Sequence, residues 1–425
     1  MKLSPVRRLL AAGATAALGL LMVSCGASNT IDFLYVIGNL DNPGQINVYE
    51  VNSQSGALYQ IADSPYPSGG RNPVYEVSAP NGLSLYVANH DDNTIVQFLI
   101  GTDGKLYPVQ TVNTPGTEPV AMAINAAGTF LYVLDYYAPA APGQPSFTDL
   151  NPGPGAVIVY PINSSTGNLG TPLTSGNANY WDVQCFPSNL GLTPNGNFLY
   201  VANPNTVLVT DAPPVTGTVP ILPASCPSSG TISGFAVSSS GLTPVGTAPP
   251  GSTYSDPTAF STGSGSAPTA VIADPSNASL YVTDGVKNQL YTFNIQSGGG
   301  LSLASTLPTG TMPMDGTIVA GKYLYISDFI GGSISQYSLG SGGLTLVSSS
   351  SSGASGPLCM VVDPHTQRFL YTADYTGGKV GGSELNDSNG TLINNKDAPY
   401  STSGQPTCVA AISHKGGNTH GLPTP

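Results

Sequence analysis

The stretch that decides the fold is Phe-Leu-Tyr-Val at residues 130–133, a β-favouring run that follows a turn at residues 125–128. Its Leu-Tyr pair occurs seven times in the chain, at residues 34–35, 85–86, 131–132, 199–200, 280–281, 324–325 and 370–371. A repeat of this length indicates supersecondary units that cannot bury their apolar faces alone and therefore stack. We expect any functional site to lie on a surface that the stack creates.

The copy at residues 119–169 shows what one unit contains. Short runs rich in Val, Ile and Tyr alternate with Gly, Asn and Pro, which predicts antiparallel strands joined by hairpins. Four short strands per unit are typical of a propeller blade. Beyond the extreme N-terminus, no long window has apolar residues at the helical period, so the predicted fold is all-β.

A second marker predicts how the stack ends. A proline stands 12 to 14 positions before six of the seven tyrosines, at Pro73, Pro119, Pro187, Pro268, Pro313 and Pro357. Pro406 and the apolar run 408–412 open a further unit that never reaches a Leu-Tyr pair. We expect this strand to complete the first blade. The prediction is a seven-bladed propeller of four-stranded antiparallel blades, closed by strands from both termini without an exposed edge. An open stack of β-units is the alternative.

The N-terminus has the pattern of a bacterial lipoprotein leader. Lys2, Arg7 and Arg8 precede an apolar stretch at 9–23, and a small residue stands before Cys25, which resembles a lipobox. The predicted domains are a signal peptide (1–24), a short linker after a lipidated Cys25 (25–30), the propeller (31–415) and a flexible tail (416–425). An ordinary signal peptide or a membrane anchor is the alternative.

Location and partners follow from the leader and the charge. A Cys25 with more than one acyl chain would anchor the protein stably in a membrane, and Gly26 resembles the outer-membrane sorting pattern. We therefore expect the cell envelope, at the outer membrane, on its periplasmic side or at the surface. The formal charge of −12 and the 8% of charged residues argue against nucleic-acid binding. The expected ligands are a glycan, a lactone or a protein, and the expected state is a monomer.

An oxidising location makes four other cysteines candidates for disulfides. Cys359 and Cys408 each stand two residues after a blade-opening proline, hence at equivalent positions on neighbouring innermost strands. Cys226 lies in a long insertion of the blade that starts near Cys185. The favoured pairs are Cys185–Cys226 and Cys359–Cys408; the other two pairings and buried free thiols remain open.

The candidate site lies at one mouth of the central channel. The blade-opening proline and the loop after each Leu-Tyr strand emerge on the same face, where two Pro- and Gly-rich insertions occur, at 136–155 and 204–230. Long loops of this kind are functional or mobile more often than not. Arg71, His90 and Glu118 are the ionisable residues that the register brings to this mouth. They are the predicted catalytic residues, with a solvated surface histidine as the alternative for His90.

Asn or Asp also follows six of the tyrosines by three positions, at Asn89, Asp135, Asn203, Asp284, Asp328 and Asp374, and Asn39 stands one step further along in blade 1. Such side chains favour Asx turns. The alternative is a ring of oxygens that holds Ca²⁺, although no contiguous calcium loop is present. We predict no cofactor and no other metal.

The unit Pro-x-x-apolar…Pro-x-Gly-x-x-Leu-Tyr-Val-x-Asn…Asn-x-Ile-x-x-Tyr…Gly-x-Leu resembles the repeat of the seven-bladed propeller lactonases, clearest at residues 194–203 and 93–98. That family includes propeller-type 6-phosphogluconolactonases and the fungal carboxymuconate cycloisomerase. Its enzymes place histidines beside the blade-opening proline. The residues beside those prolines here are Asn72, Val74, Glu118, Val120, Phe186, Ser188, Ala267, Thr269, Met312 and Met314, and none is histidine.

Two functions of different classes follow. The missing histidines favour a non-catalytic propeller lipoprotein that binds a glycan, a peptide or an envelope partner at the mouth. The resemblance implies the alternative, a lactonase similar to 6-phosphogluconolactonase that hydrolyses the ester of a sugar lactone. The sequence leaves open whether the protein is an enzyme, and turnover of a lactone separates the two functions.

Overall fold

The structure is a computed structural model, and it describes residues 29–140, 143–148, 151–205, 226, 229–246, 259–340, 342–351, 353 and 355–414. These residues form seven antiparallel sheets, which are the seven blades. The described residues contain no helix that is long and apolar enough to cross a membrane. The predicted all-β propeller is confirmed.

The strands follow one another in chain order, blade by blade. Blades 1 and 2 comprise β1 (Thr30–Gly38), β2 (Gln45–Asn52), β3 (Leu58–Gln60), β4 (Tyr66–Pro67), then β5 (Pro73–Ser78), β6 (Ser84–Asn89), β7 (Thr94–Ile100) and β8 (Leu106–Asn113). Blades 3 and 4 comprise β9 (Thr117–Ile124), β10 (Phe130–Tyr137), β11 (Pro154–Pro161), β12 (Trp181–Cys185), then β13 (Asn189–Leu192), β14 (Phe198–Asn203), β15 (Thr231–Ser238), β16 (Gly241–Val245) and β17 (Ala259–Ser261).

The second half of the ring repeats the order. Blades 5 and 6 comprise β18 (Pro268–Ala273), β19 (Ser279–Asp284), β20 (Gln289–Ile295), β21 (Leu301–Pro308), then β22 (Pro313–Val319), β23 (Tyr323–Asp328), β24 (Ser333–Gly340) and β25 (Gly343–Ser351). Blade 7 and the last strand comprise β26 (Pro357–Val362), β27 (Phe369–Asp374), β28 (Lys379–Leu385), β29 (Leu392–Asn394), β30 (Tyr400–Ser401) and β31 (Pro406–Ser413).

The ring closes at blade 1. There β31 pairs antiparallel with β1, in a register that sets Leu34 opposite Ala411 and Ile37 opposite Cys408. The first blade therefore combines the two ends of the propeller, as predicted. Blades 1, 4 and 7 each add one short strand, β4, β17 and β30, to the four-stranded plan.

The Leu-Tyr signature is explained by contacts between blades. All seven pairs are buried in the apolar layers between neighbouring sheets. In five blades the tyrosine hydroxyl donates a hydrogen bond to the carbonyl of a turn glycine in the next blade: Tyr35 to Gly104, Tyr86 to Gly167, Tyr200 to Gly299, Tyr325 to Gly390 and Tyr371 to Gly56. Each bond gives a buried hydroxyl its partner and links two blades at once.

The turn glycines in these contacts are required by their backbone. Gly390 has a φ of +73°, and a Cβ built there would lie 2.4 Å from the Tyr323 ring of the preceding blade. An L side chain would therefore be strained and would also collide with the neighbouring blade. The same pairing of turn glycine and aromatic wedge recurs at Gly104 against Phe33.

The structure contains two disulfides. Cys359–Cys408 joins the innermost strands of blades 7 and 1, with 4.9 Å between the Cα atoms. Cys185–Cys226 has a Cα–Cα distance of 5.8 Å. These are the pairs favoured from the sequence, although Cys185 ends β12 at the outer edge of blade 3 rather than opening blade 4. Cys25, the leader, the 416–425 tail and most of the 204–230 insertion lie outside the described residues.

Candidate functional site

A cavity of about 220 Å³ lies at the mouth where the innermost strands begin. Its wall includes the residue that follows every blade-opening proline: Val74, Val120, Ser188, Thr269, Met314, Leu358 and Thr407. The repeat therefore builds the cavity directly, because equivalent positions on seven innermost strands converge around one axis. The mouth predicted from the register is the mouth that holds the cavity.

Three of these seven residues carry hydroxyls that hydrogen-bond to the next blade. Ser188, Thr269 and Thr407 each donate to the carbonyl of the blade-opening proline in the next blade, over 3.3, 2.7 and 2.7 Å. Their protons are thus committed to backbone acceptors. The ring is a rigid wall rather than a set of free donors.

The residues before the prolines carry local strain at the rim. Asn72, Glu118, Phe186 and Met312 have φ values of +49°, +59°, +53° and +59°, which non-glycine residues adopt only under constraint. Of these four residues, Asn72 and Phe186 line the cavity. The positions that carry histidine in the family enzymes therefore do reach the mouth, with other side chains.

Asp315 is the acid of the cavity wall, and sequence reasoning missed it. It lies on β22, two residues after Pro313, and its Oδ2 accepts the backbone N–H of Met360 over 2.9 Å. Burial raises the pKa of Asp315 to about 6, against the opposing effect of the backbone hydrogen bonds from Met360 and Gly316. A carboxyl with this pKa can take up and release a proton near neutral pH.

Tyr75 reaches the same cavity from the opposite side of the ring, two residues after Pro73 on β5. Burial raises the pKa of Tyr75, and the nearby charge of Asp315 raises it further. Its phenol therefore stays protonated and can donate a hydrogen bond. Among the described residues the Tyr75 hydroxyl has no hydrogen-bond partner in the protein, which leaves this donor for a bound molecule.

Asn189 occupies the equivalent position on β13 in blade 4. Its Oδ1 accepts the backbone N–H of Val271 over 3.3 Å, so the amide is oriented by the neighbouring blade. The Asn189 side chain lines the cavity and adds a neutral polar group to its wall. The signal for all three residues was present in the sequence, as the second position after the blade-opening proline.

The three predicted site residues separate into two groups. His90 lines the cavity; its Nδ1 is 2.8 Å from Asp91 Oδ1, and its Nε2 is 3.8 Å from Glu118 Oε2. Arg71 is held outside the cavity by Asp92, with 2.6 Å between Nη2 and Oδ1. The structure thus brings His90 and Glu118 together, whereas Arg71 forms an ion pair with Asp92.

The six Asn and Asp residues three positions after a Leu-Tyr tyrosine are buried, and Asn39 is half-buried. Asp135 accepts the backbone N–H of Gly116, and Asp284 accepts those of Ala267, Val286 and Lys287. The bonds from Val286 and Lys287 are the local contacts expected of an Asx turn, whereas Gly116 and Ala267 belong to the segments that precede the innermost strands of the same blades. No group of three or more metal-ligating residues occurs in the part of the chain that the structure describes.

Fold and cavity together define a seven-bladed β-propeller with a small, partly enclosed candidate site at one mouth of its channel. The family model "Lactonase, 7-bladed beta-propeller" matches residues 27–137. A 6-phosphogluconolactonase of Xenorhabdus nematophila is 31% identical over 133 residues, which is 31% of this chain and 34% of that protein. The match therefore spans about a third of the curated relative.

Solved structures agree on the fold. A putative 6-phosphogluconolactonase from Bacteroides uniformis superposes with a TM-score of 0.66 at 16% identity, over 91% of this chain and 100% of that one. The periplasmic gluconolactonase of Pseudomonas aeruginosa gives 0.66 at 17% identity, over the same shares. The resemblance to the seven-bladed propeller lactonases that the sequence predicted is confirmed.

Proposed function

We propose that this protein hydrolyses a lactone at the channel mouth. One observation carries the proposal: a carboxyl with a pKa of about 6, Asp315, lines the same cavity as a protonated phenol, Tyr75. Hydrolysis of an ester needs a base for the attacking water and a donor for the carbonyl oxygen. The similarity to 6-phosphogluconolactonases supports the same reaction class.

The proposed steps use only these groups. The Asp315 carboxylate takes a proton from a water molecule as its oxygen attacks the lactone carbonyl carbon, while Tyr75 donates a hydrogen bond to the carbonyl oxygen. The tetrahedral intermediate then breaks its bond to the ring oxygen. That oxygen takes the proton back from Asp315, which yields the open hydroxy acid and restores the carboxylate. His90 and Glu118 lie at the rim, where they can orient the substrate.

The test measures lactone turnover by the purified full-length protein in detergent. Asp315→Asn should lower kcat by at least about 100-fold, the usual contribution of a general base. The matched control is Asp328→Asn, since Asp328 is a buried carboxyl with a pKa of about 6 that does not line the cavity. Tyr75→Phe should lower kcat by about 100-fold as well, because it removes one carbonyl donor.

Two results would decide against hydrolysis. Equal turnover by the Asp315→Asn and Asp328→Asn variants would place any activity elsewhere. If the unmodified protein turns over no lactone but binds a glycan or a peptide at the mouth, the non-catalytic function is the correct one. Thermal unfolding of each variant must show that it is folded before its rate is interpreted.

We also propose that the protein is a lipoprotein of the cell envelope, anchored at Cys25. The two disulfides support an oxidising location. Thr30 begins β1 at the face opposite the cavity. The five residues from Cys25 to Thr30 can span about 17 Å at most. An anchored propeller would therefore direct its cavity away from the membrane. Mass spectrometry of the N-terminal peptide from cells tests the acylation, and an unmodified Cys25 would contradict it.

A further inference from the structure

We infer that the molecule accepted by the mouth cavity is an uncharged single-ring sugar lactone, without phosphate or carboxylate. The inference rests on the proposed lactone hydrolysis and specifies its substrate class. It begins from the composition of the cavity wall: in the described part of the chain, neither lysine nor arginine lines the cavity. Phosphate recognition in proteins relies on such groups.

Three cations in blades 2, 5 and 7 have contacts outside the cavity. Arg71 binds Asp92 and the backbone carbonyl of Asp91. Lys379, at the start of β28, donates to Ser401 Oγ over 3.0 Å. Lys287, in the turn after β19, lies against the connection at Gly263. None of the three contributes to the wall of the cavity.

The insertions on this face cannot supply the missing charge either. Residues 136–155 and 204–230 contain no lysine or arginine, and neither do residues 247–258. This is a property of the sequence, independent of how those loops are arranged. A substrate phosphate would therefore meet no permanent positive charge there.

The charges that do surround the cavity are negative. Asp315 is in the wall, and Asp91 and Glu118 flank His90 at the rim. The chain as a whole carries a formal charge of −12. Within a partly enclosed site, where water screens less, a second anion is repelled more strongly than at the surface. The same field favours departure of the product, because lactone hydrolysis creates a carboxylate.

The neutral part of the wall has the chemistry that binds sugars. Tyr75, Tyr136 and Tyr375 offer aromatic surfaces, and the amides of Asn72 and Asn189 offer donors and acceptors for hydroxyl groups. A volume of about 220 Å³ is below the usual size of sites for drug-sized ligands. It suits one ring rather than an oligosaccharide.

The experiment compares D-glucono-1,5-lactone with its 6-phosphate as substrates of the full-length protein at low salt. We expect kcat/KM for the neutral lactone to be at least tenfold higher. Added salt should narrow the difference, since it screens the repulsion. An equal or higher kcat/KM for the phosphate would overturn the inference and leave the proposed hydrolysis intact.

A matched pair of variants tests the electrostatic cause. Leu358→Lys puts a cation into the ring of the cavity wall, and Leu40→Lys puts the same charge on an exposed residue outside it. Leu358→Lys should raise the relative kcat/KM for the phosphorylated lactone by tenfold or more, and Leu40→Lys should leave it within about twofold of the original. Equal effects of both variants would contradict a role for the wall.

A binding measurement separates the two proposals if neither lactone is hydrolysed. That result alone would overturn the proposed function. Titration calorimetry with 1,5-anhydro-D-glucitol and its 6-phosphate then tests the ligand class, because neither compound contains the lactone group that the proposed reaction would open. Binding of the neutral compound alone would support an uncharged ligand, and binding of the phosphate, or of neither, would overturn it.

Discussion

Asp315 stands at the second position after the blade-opening proline, where the residue lines the cavity in four of the seven blades. The other blades have Tyr75, Ala121, Asn189, Ala270, Cys359 and Cys408 there, so Asp315 is the acid among seven equivalent positions. The position of Asp315 in the ring determines its pKa, because burial there raises the pKa of the carboxyl.

A pH profile follows from this pKa. If Asp315 acts as the base, it must be ionised in the free enzyme, so kcat/KM should rise with pH, reach half its maximum near pH 6 and level off above pH 7. Rates are measured after subtraction of spontaneous lactone hydrolysis. The Asp328→Asn variant should keep the same profile, and a kcat/KM that is flat between pH 5 and pH 7 would exclude Asp315 as the base.

At the scale of the strand and its turn, the contact between a Leu-Tyr tyrosine and the next blade is the recurring element. The loss of stability on removing the tyrosine hydroxyl should depend on whether the glycine carbonyl keeps another hydrogen-bond donor. Gly56 O accepts from Tyr371 over 2.7 Å and also from Asn395 Nδ2 over 3.1 Å. Gly390 O accepts from Tyr325 over 2.6 Å, with no second donor among the described residues.

We therefore expect unequal effects of removing the two hydroxyls. Tyr325→Phe leaves a buried carbonyl unpaired and should lower the free energy of unfolding by about 1–3 kcal/mol. Tyr371→Phe leaves Gly56 O paired and should cost about 1 kcal/mol or less. Denaturant unfolding measures both, with Tyr107→Phe as an exposed control. The opposite order would show that the second donor does not compensate.

The disulfide at the ring closure is an element that joins two innermost strands. Cys359 and Cys408 enclose 49 positions of chain, which corresponds to about 4 kcal/mol in the chain-entropy account of cross-links. The variant Cys359→Ser/Cys408→Ser should lose stability of this order and unfold at a lower temperature. Non-reduced peptide mapping of the unmodified protein checks that the bond is present. If the variant has the same melting temperature as the unmodified oxidised protein, the disulfide does not stabilise the ring.

At the scale of the whole molecule, the closed ring buries several carboxyls whose pKa is raised. Burial, with the nearby charge of Asp363, raises the pKa of Asp32 on β1 to about 8, and burial raises that of Asp328 to about 6. Burial also raises the pKa of Glu76 and Asp135. In each case the folded protein favours the protonated form more than the unfolded chain does.

The sign of the pH dependence follows. Stabilisation from these groups is complete below their unfolded pKa, near 4, and is lost as the pH rises through their folded values. The melting temperature should therefore be higher at pH 5 than at pH 8.5. Asp32→Asn should flatten the upper part of the curve, while the exposed control Asp387→Asn should not. A melting temperature that increases from pH 5 to pH 8.5 would contradict this account.

The repeat was sufficient to predict the blades, their number and the closure. Leu-Tyr pairs and blade-opening prolines are local signals, and each acts within one unit or between neighbouring units. The run after Pro406 opens a unit without a Leu-Tyr pair, and this predicted the partner of β1. Two incomplete blades at the ends of the chain leave open sheet edges unless they pair with each other. The face of the site was predictable too, because the register puts every proline at one mouth.

The identity of the site residues was decided by the tertiary structure. Tyr75 and Asp315 are far apart in the chain and line one cavity because the ring sets blades 2 and 6 around one channel. The pKa of Asp315 is raised by burial, which the packing of the blades creates. Arg71 has the expected register, but its side chain pairs with Asp92 and does not line the cavity. A repeat determines which positions face the axis; long-range packing determines which side chains there are desolvated, paired or free.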